Sequence, residues 1–394
     1  DSFKKAIKIK PDYAEAYNNM GLTLSNNDDL ETAIDSFKKA IKIKPDYAEA
    51  YNNMAVALVS KGDLEAVIDS CKQALKINPD YAEAHYNMGN AIKAKGDIEG
   101  AIDNYKQAIQ IKPDYADAYN NLGLSLDDKG DLDSAINSFK KALKIKPDYV
   151  EAHYNMGNAL HEQGDLEATI NSYKQALKIN PYYAEAYNNM GNALHEKDDL
   201  EAAIISYKQA IKINPDNAQF HNNMGLALKD CDDLETAIDS YKKAIKIKPD
   251  NAEVYNNLGA ALQKVTFTRP NSGLMEVIVS LLDQKVFVRP NEIAQAAISL
   301  LKLEPKLKAL LKKHSLGTLR QSLDETILTL TELPLLLKLM SVCPINDLKL
   351  ESILEDIRQA LLSSVDEIPI SPAILCFQSA LALQCFTNEY IYNQ

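Results

Sequence analysis

Apolar and polar positions recur along the first two thirds of the chain with a fixed step. In Ala14–Tyr47, the residues Ala14, Tyr17, Met20, Gly21 and Leu24 follow helical spacing. Leu30, Ala33, Ile34, Phe37, Ala40 and Ile41 fall on one face of a second helix. The pattern predicts a helix A over Ala14–Asn26 and a helix B over Leu30–Lys44. It returns at a constant interval, punctuated by Pro11, Pro45, Pro79, Pro113, Pro147, Pro181, Pro215 and Pro249. Proline cannot continue a helix and disfavours helical backbone in the residue before it, so each of these positions ends a helix B. A recurring GDL or DDL supplies an aspartate to cap the start of helix B.

Gly21 returns as Gly89, Gly123, Gly157, Gly191, Gly225 and Gly259, with Ala55 the one substitute. Glycine inside a helix costs up to about 1 kcal/mol against alanine. Its recurrence at one phase therefore predicts a close approach of helices A and B. The interval from Pro11 to Pro45 is the period of the tetratricopeptide repeat. The recurrent positions resemble that repeat too, with Tyr or His in place of its first Trp. The resemblance implies an all-α fold: a right-handed α-solenoid superhelix over residues 1–264, followed by a small helical C-terminal domain over 265–394. The solenoid divides into a lone helix B (1–10), seven complete A/B pairs (14–248) and a lone helix A (251–264).

In the tetratricopeptide family helix A lines the concave face. Its sixth position here is always Asn: Asn19, Asn53, Asn87, Asn121, Asn155, Asn189, Asn223 and Asn257. Asn is a mediocre helix former, and its amide suits the main chain of an extended partner. The row resembles the asparagine ladder of the repeat superhelix in O-linked N-acetylglucosamine transferase, which implies peptide binding. The bland alternative is that each Asn bonds a neighbouring repeat. Asn90, Asn158 and Asn192 add polarity three positions on, and mark the middle repeats for a ligand. The second position carries Glu15, Glu49, Glu83, Asp117, Glu151, Glu185 and Glu253, with Gln219 neutral. This row suits the dipole of its own helix, and it leaves no basic clamp for a C-terminal carboxylate.

Charge narrows the partners. The net charge is −12, and residues 265–394 hold 12 basic and 14 acidic side chains, so most of the excess sits in the repeats. An acidic solenoid is a poor nucleic-acid or anionic-lipid binder. The expected partners are a protein or peptide segment and further copies of this chain, not nucleic acid. No apolar run reaches the ~20 residues of a membrane span. Cys71, Cys231, Cys343, Cys376 and Cys385 form no metal spacing, and Cys71 replaces a core aromatic, which points to a reducing, cytoplasmic compartment. His85, His153 and His221 take the Tyr17 phase and read as packing residues. His161 and His195 lie one repeat apart near the end of helix A, without the carboxylate geometry that would support a metal site. No metal or cofactor is expected.

Residues 265–394 carry no further copy of the repeat. VTFTRPN (Val265–Asn271) and KVFVRPN (Lys285–Asn291) are near copies, each ending in an Asn placed to cap the next helix. Helical patterns follow near Leu274–Gln284, Glu292–Leu303, Lys306–His314, Leu319–Leu330, Pro334–Met340, Asp347–Leu362 and Pro372–Phe386. They are expected to cover the lone helix A. No His stands near Ser379 or Cys376, and no phosphate loop occurs, so the region is expected to be non-catalytic. It resembles the region between repeats and catalytic domain in bacterial tetratricopeptide proteins that end in an S-adenosylmethionine-dependent methyltransferase, whose glycine-rich cofactor loop does not occur here.

Three functions follow as expectations. The first is a scaffold binding an extended peptide in the Asn-lined groove. The second is head-to-tail self-assembly into a helical array or filament, through the apolar Phe3, Ala6 and Ile7 of the first helix. The third is recruitment of substrate for a methyltransferase domain outside this sequence, since the chain opens mid-repeat in the manner of a fragment or processed form.

Overall fold

A computed structural model describes residues 2–263, 265–283, 289–315, 323–363, 375 and 377–384. The predicted helix Pro372–Phe386 lies partly outside these residues, at 372–374, 376 and 385–386, and Cys376, Cys385 and most of Lys285–Asn291 lie outside them too. The chain falls into two compact units, Asp1–Lys197 and Asp198–Gln394. Among the described residues every regular element is an α-helix.

In the first unit, A helices (Ala14–Ser25, Ala48–Lys61, Ala82–Ala94, Ala116–Asp128, Val150–Glu162, Ala184–Glu196) alternate with B helices (Ser2–Ile9, Leu30–Ile43, Leu64–Ile77, Ile98–Ile111, Leu132–Ile145, Leu166–Ile179). Within the unit each A helix packs on the B helix before it, and the first five pack more closely along the B helix that follows. The B helices begin as the sequence dictates. Asp29, Asp63, Asp97, Asp131 and Asp165 each accept a bond from the backbone N–H three positions on. They end just before the extended Lys44, Asn78, Lys112, Lys146 and Asn180, whose backbone the following proline restricts. The turn before each cap needs a left-handed residue, supplied by Gly62, Gly96, Gly130 and Gly164, and by Asp28 at φ 59°.

The recurrent glycine has a definite cause. A Cβ on Gly21 would stand 2.6 Å from the Phe37 ring, and on Gly123 2.6 Å from Phe139; Gly89 and Gly157 meet Tyr105 and Tyr173 in the same way. These rings are fully buried, so none can swing aside. The glycine serves the aromatic side chain of helix B rather than a meeting of backbones. The repeat that carries Ala55 confirms this, because helix B there presents the small Cys71, and Ala55 and Cys71 share one core cluster. In the first helix Phe3, Ala6 and Ile7 are half-buried and none of its residues is fully buried.

The second unit starts with the B helix Leu200–Ile213. One more pair, Ala218–Asp230 and Leu234–Ile247, and then the A helix Ala252–Leu262 follow it. This last A helix packs on Pro290–Leu301, and its Val254, Tyr255, Leu258 and Leu262 are buried. Helix Ser272–Asp283 packs on Pro334–Val342. Asn271 caps its helix by accepting from Leu274 N–H at 3.0 Å. Asn291 does not cap the next one. That helix begins at Pro290, because proline, lacking an N–H, is well suited to a first helical turn, and this puts Asn291 inside it.

Candidate functional site

Within each unit the A helices carry the predicted ladder asparagines at one phase, and hydrogen bonds between repeats give them an internal job. Six of the eight ladder amides donate to the residue at the preceding position one repeat earlier. Asn53 Nδ2 donates to Asn18 Oδ1 (3.0 Å), Asn87 to Asn52 (2.9 Å), Asn155 to Asn120 (3.1 Å) and, in the second unit, Asn257 to Asn222 (3.0 Å). Where that earlier residue is Tyr, its hydroxyl accepts instead: Asn121 reaches Tyr86 Oη at 3.1 Å and Asn189 reaches Tyr154 Oη at 3.0 Å.

The members of the row are not equivalent. Asn121 and Asn189 are fully engaged. Their amides also donate to Asn90 Oδ1 (2.9 Å) and Asn158 Oδ1 (3.3 Å), and their oxygens accept from Asn120 and Asn188. Asn53, Asn87 and Asn155 each spend one N–H. Their side-chain oxygens have no hydrogen-bond partner among the described residues, and all three side chains are half-exposed. Asn19 is exposed, and Asn223 is buried and accepts from Gln219. Of the extra asparagines, Asn90 and Asn158 also accept from the buried hydroxyls of Tyr105 and Tyr173 at 2.7 Å. Their polarity belongs to the core tyrosines. Asn192 is half-buried at the same phase, and in the sequence Tyr207 stands to it as Tyr173 stands to Asn158.

A second row runs beside the first, and the sequence reading did not single it out. Tyr13, Tyr47, Tyr81, Tyr115, Tyr149 and Tyr183 stand immediately before the A helices. Tyr86 packs on Tyr115 at 5.0 Å between ring centres, and Tyr154 on Tyr183 at 4.8 Å. Lysine ammoniums from the preceding helix end lie over four of these rings: Lys10 on Tyr13, Lys44 on Tyr47 (4.8 Å), Lys112 on Tyr115 (4.6 Å) and Lys146 on Tyr149 (4.4 Å). Burial pushes the Tyr81 and Tyr183 phenols up to about 12, with neighbouring carboxylates adding to the shift. The recurrence of Tyr at the second position after each of the first six repeat prolines was the signal that could have found this row.

The acidic second position borders the same row. Glu83 pairs with Lys112 at 3.0 Å, while Glu15, Glu49, Glu151 and Glu185 are exposed without an ion pair among the described residues. The histidines hold loops: His85, His153 and His221 place Nε2 at 3.2, 3.0 and 2.9 Å from the carbonyls of Pro79, Pro147 and Pro215. His161 bonds Glu196. Among the described residues no group of three His, Cys, Asp or Glu side chains is arranged to hold a metal, and no helix is long and apolar enough to cross a membrane.

Models of the TPR repeat match residues 27–62, 57–96, 89–127, 126–164, 157–198, 191–230 and 227–265, and a further tetratricopeptide repeat model matches 2–35. The chain belongs to the tetratricopeptide repeat family. Its tetratricopeptide repeats form an all-α solenoid and make the chain a protein–protein interaction scaffold. Among solved structures it is similar to MamA (28% identity over 42% of this chain and 97% of that one, TM-score 0.40). It is also similar to YrrB, described as a TPR protein with an unusual peptide-binding site (24%, 50% and 98%, 0.41). The C-terminal part of a TPR repeat-containing protein from Cytophaga hutchinsonii is a further match (19%, 61% and 98%, 0.50). No protein of curated function matches.

Proposed function

We propose that the A-helix face of the first unit binds an extended polypeptide through its main chain. One observation carries the reading: Asn53, Asn87 and Asn155 are held in place by a single inter-repeat bond, and each still offers an unpaired oxygen and a second N–H. An amide already fixed by a neighbour loses little freedom when it meets a ligand, so its bond counts for more. Each such bond contributes only about 0.5–1.5 kcal/mol net, so capture depends on several acting together.

The test is the triple replacement of Asn53, Asn87 and Asn155 by Ala. Peptides selected by panning a library of unstructured dodecapeptides on the whole chain should bind the triple variant at least tenfold more weakly, with helicity unchanged by circular dichroism. Equal affinity in the folded variant would reject the ladder as the binding element.

A further inference from the structure

Two groups of residues in the first unit are copies of each other displaced by two repeats, with one difference. In the first, Tyr86 packs on one side of Tyr115, and Lys112 lies over that ring at 4.6 Å with its ammonium 3.0 Å from Glu83 Oε1. In the second, Tyr154 packs on Tyr183 at 4.8 Å, and Glu151 takes the place of Glu83. Glu151 acts on the Tyr183 phenol as Glu83 acts on that of Tyr115. The lysine, however, is replaced by Asn180. That side chain turns back to accept the backbone N–H of Tyr182 at 3.1 Å and supplies no cation to the ring. Glu151 is exposed and has no ion pair among the described residues.

The same exchange occurs three repeats earlier. Asn78 stands where Lys44 and Lys112 stand in their repeats, and its oxygen accepts from Asp80 N–H at 3.2 Å. Glu49 is exposed and has no ion pair among the described residues, and it acts on the nearby Tyr81. The occupied copy shows what the site is built to hold: an ammonium between a carboxylate and a tyrosine face. The combination of charge and ring attraction favours a cation.

We propose that Glu151 with Tyr183, and Glu49 with Tyr81, are subsites for lysine side chains of the bound polypeptide, each taking the ammonium that Lys112 supplies to Glu83 and Tyr115 from within the chain. The proposal rests on the groove reading above and names the side-chain chemistry which that groove selects. The surrounding charge agrees: Glu185 adds to the negative potential at Tyr183, and Glu83 to that at Tyr81. An internal lysine also predicts its own antagonist. Asn78→Lys and Asn180→Lys would fill the two subsites with residues that sister repeats already accommodate at this position, so folding is safe.

The experiment pans the unstructured dodecapeptide library on the whole chain, then measures one selected peptide and its Lys→Gln version by fluorescence anisotropy. The expected result is lysine enrichment, a loss of about tenfold on Lys→Gln per subsite engaged, and a matching loss for the lysine peptide on the Asn78→Lys/Asn180→Lys protein. That double variant should no longer distinguish the two peptides. Selected peptides that bind with no dependence on lysine, or equally well to the double variant, would overturn the subsites and leave the groove standing. Recovery of no binding peptide would overturn both. Circular dichroism of the double variant shows whether a loss comes from unfolding.

Discussion

Ala55 packs with Cys71 in the core of the repeat where Gly21, Gly89, Gly123, Gly157 and Gly225 elsewhere face an aromatic ring. The two positions trade volume. A methyl group is admitted on helix A only where helix B gives up its ring. Cys71→Phe should therefore overpack its core and destabilise the protein by about 1–3 kcal/mol. Adding Ala55→Gly should return most of that loss. A double-mutant cycle in urea reads the coupling, and additive effects would show that the pair does not trade volume.

A second exchange concerns the ring hydroxyl. Tyr105 and Tyr173 donate to Asn90 and Asn158, whereas the hydroxyl-free Phe37 and Phe139 have Leu22 and Leu124 at the corresponding positions. Tyr241 breaks the rule. Its counterpart is Leu226, and its buried hydroxyl has no partner among the described residues. Tyr241→Phe should stabilise the chain by about 1 kcal/mol, because it removes an unsatisfied buried group. Tyr105→Phe should destabilise it, by removing the hydroxyl's bond to Asn90. Opposite shifts in chemical denaturation midpoints check both; a loss of stability in Tyr241→Phe would show that its hydroxyl is satisfied.

The ladder separates by role. Asn121→Ala removes bonds to Tyr86 and Asn90 and should cost about 2 kcal/mol of stability with little effect on captured peptide. Asn155→Ala removes one bond and frees Asn120, so it should cost about half as much while weakening binding more. Paired denaturation and anisotropy measurements distinguish the two, and identical profiles would contradict the assignment.

Alkaline pH should unfold the repeats. Tyr81 and Tyr183 hold their protons up to about 12 in the folded chain, chiefly through burial. In the unfolded chain tyrosine titrates near 10. Above about pH 10 the unfolded chain gives up protons that the folded chain keeps, so stability falls as pH rises towards 12 and does not change on this account below 10. Urea midpoints taken across that range, with tyrosinate absorbance followed in parallel, give the slope.

The repeat length, the helix pairs and the aspartate caps were all legible in the sequence, because proline, aspartate and helical spacing act locally. The steric need at Gly21 was legible too, but its cause was not. Nothing in the period itself says that the Phe37 ring, rather than backbone, fills the space. The ladder showed as a row, yet the division between Asn121 and Asn155 depends on whether Tyr or Asn stands one repeat earlier, a relation that no single repeat contains. The start of helix Pro290–Leu301 was misplaced because Asn291 is a good cap and Pro290 a good first residue, and the two compete for one helix end. The tyrosine row was missed because each ring, taken alone, reads as core.

The exchanges between Gly21 and Phe37, Ala55 and Cys71, and Asn90 and Tyr105 each lie inside one A/B hairpin. None crosses a repeat proline. The bonds that do cross it, from a ladder Asn to the repeat before, accept either Asn or Tyr as partner. A chain of this kind can be cut and rejoined at its proline loops with these three matches intact, whereas a cut between helix A and helix B would separate them. The whole hairpin is then the unit in which such an array can lengthen, shorten or recombine.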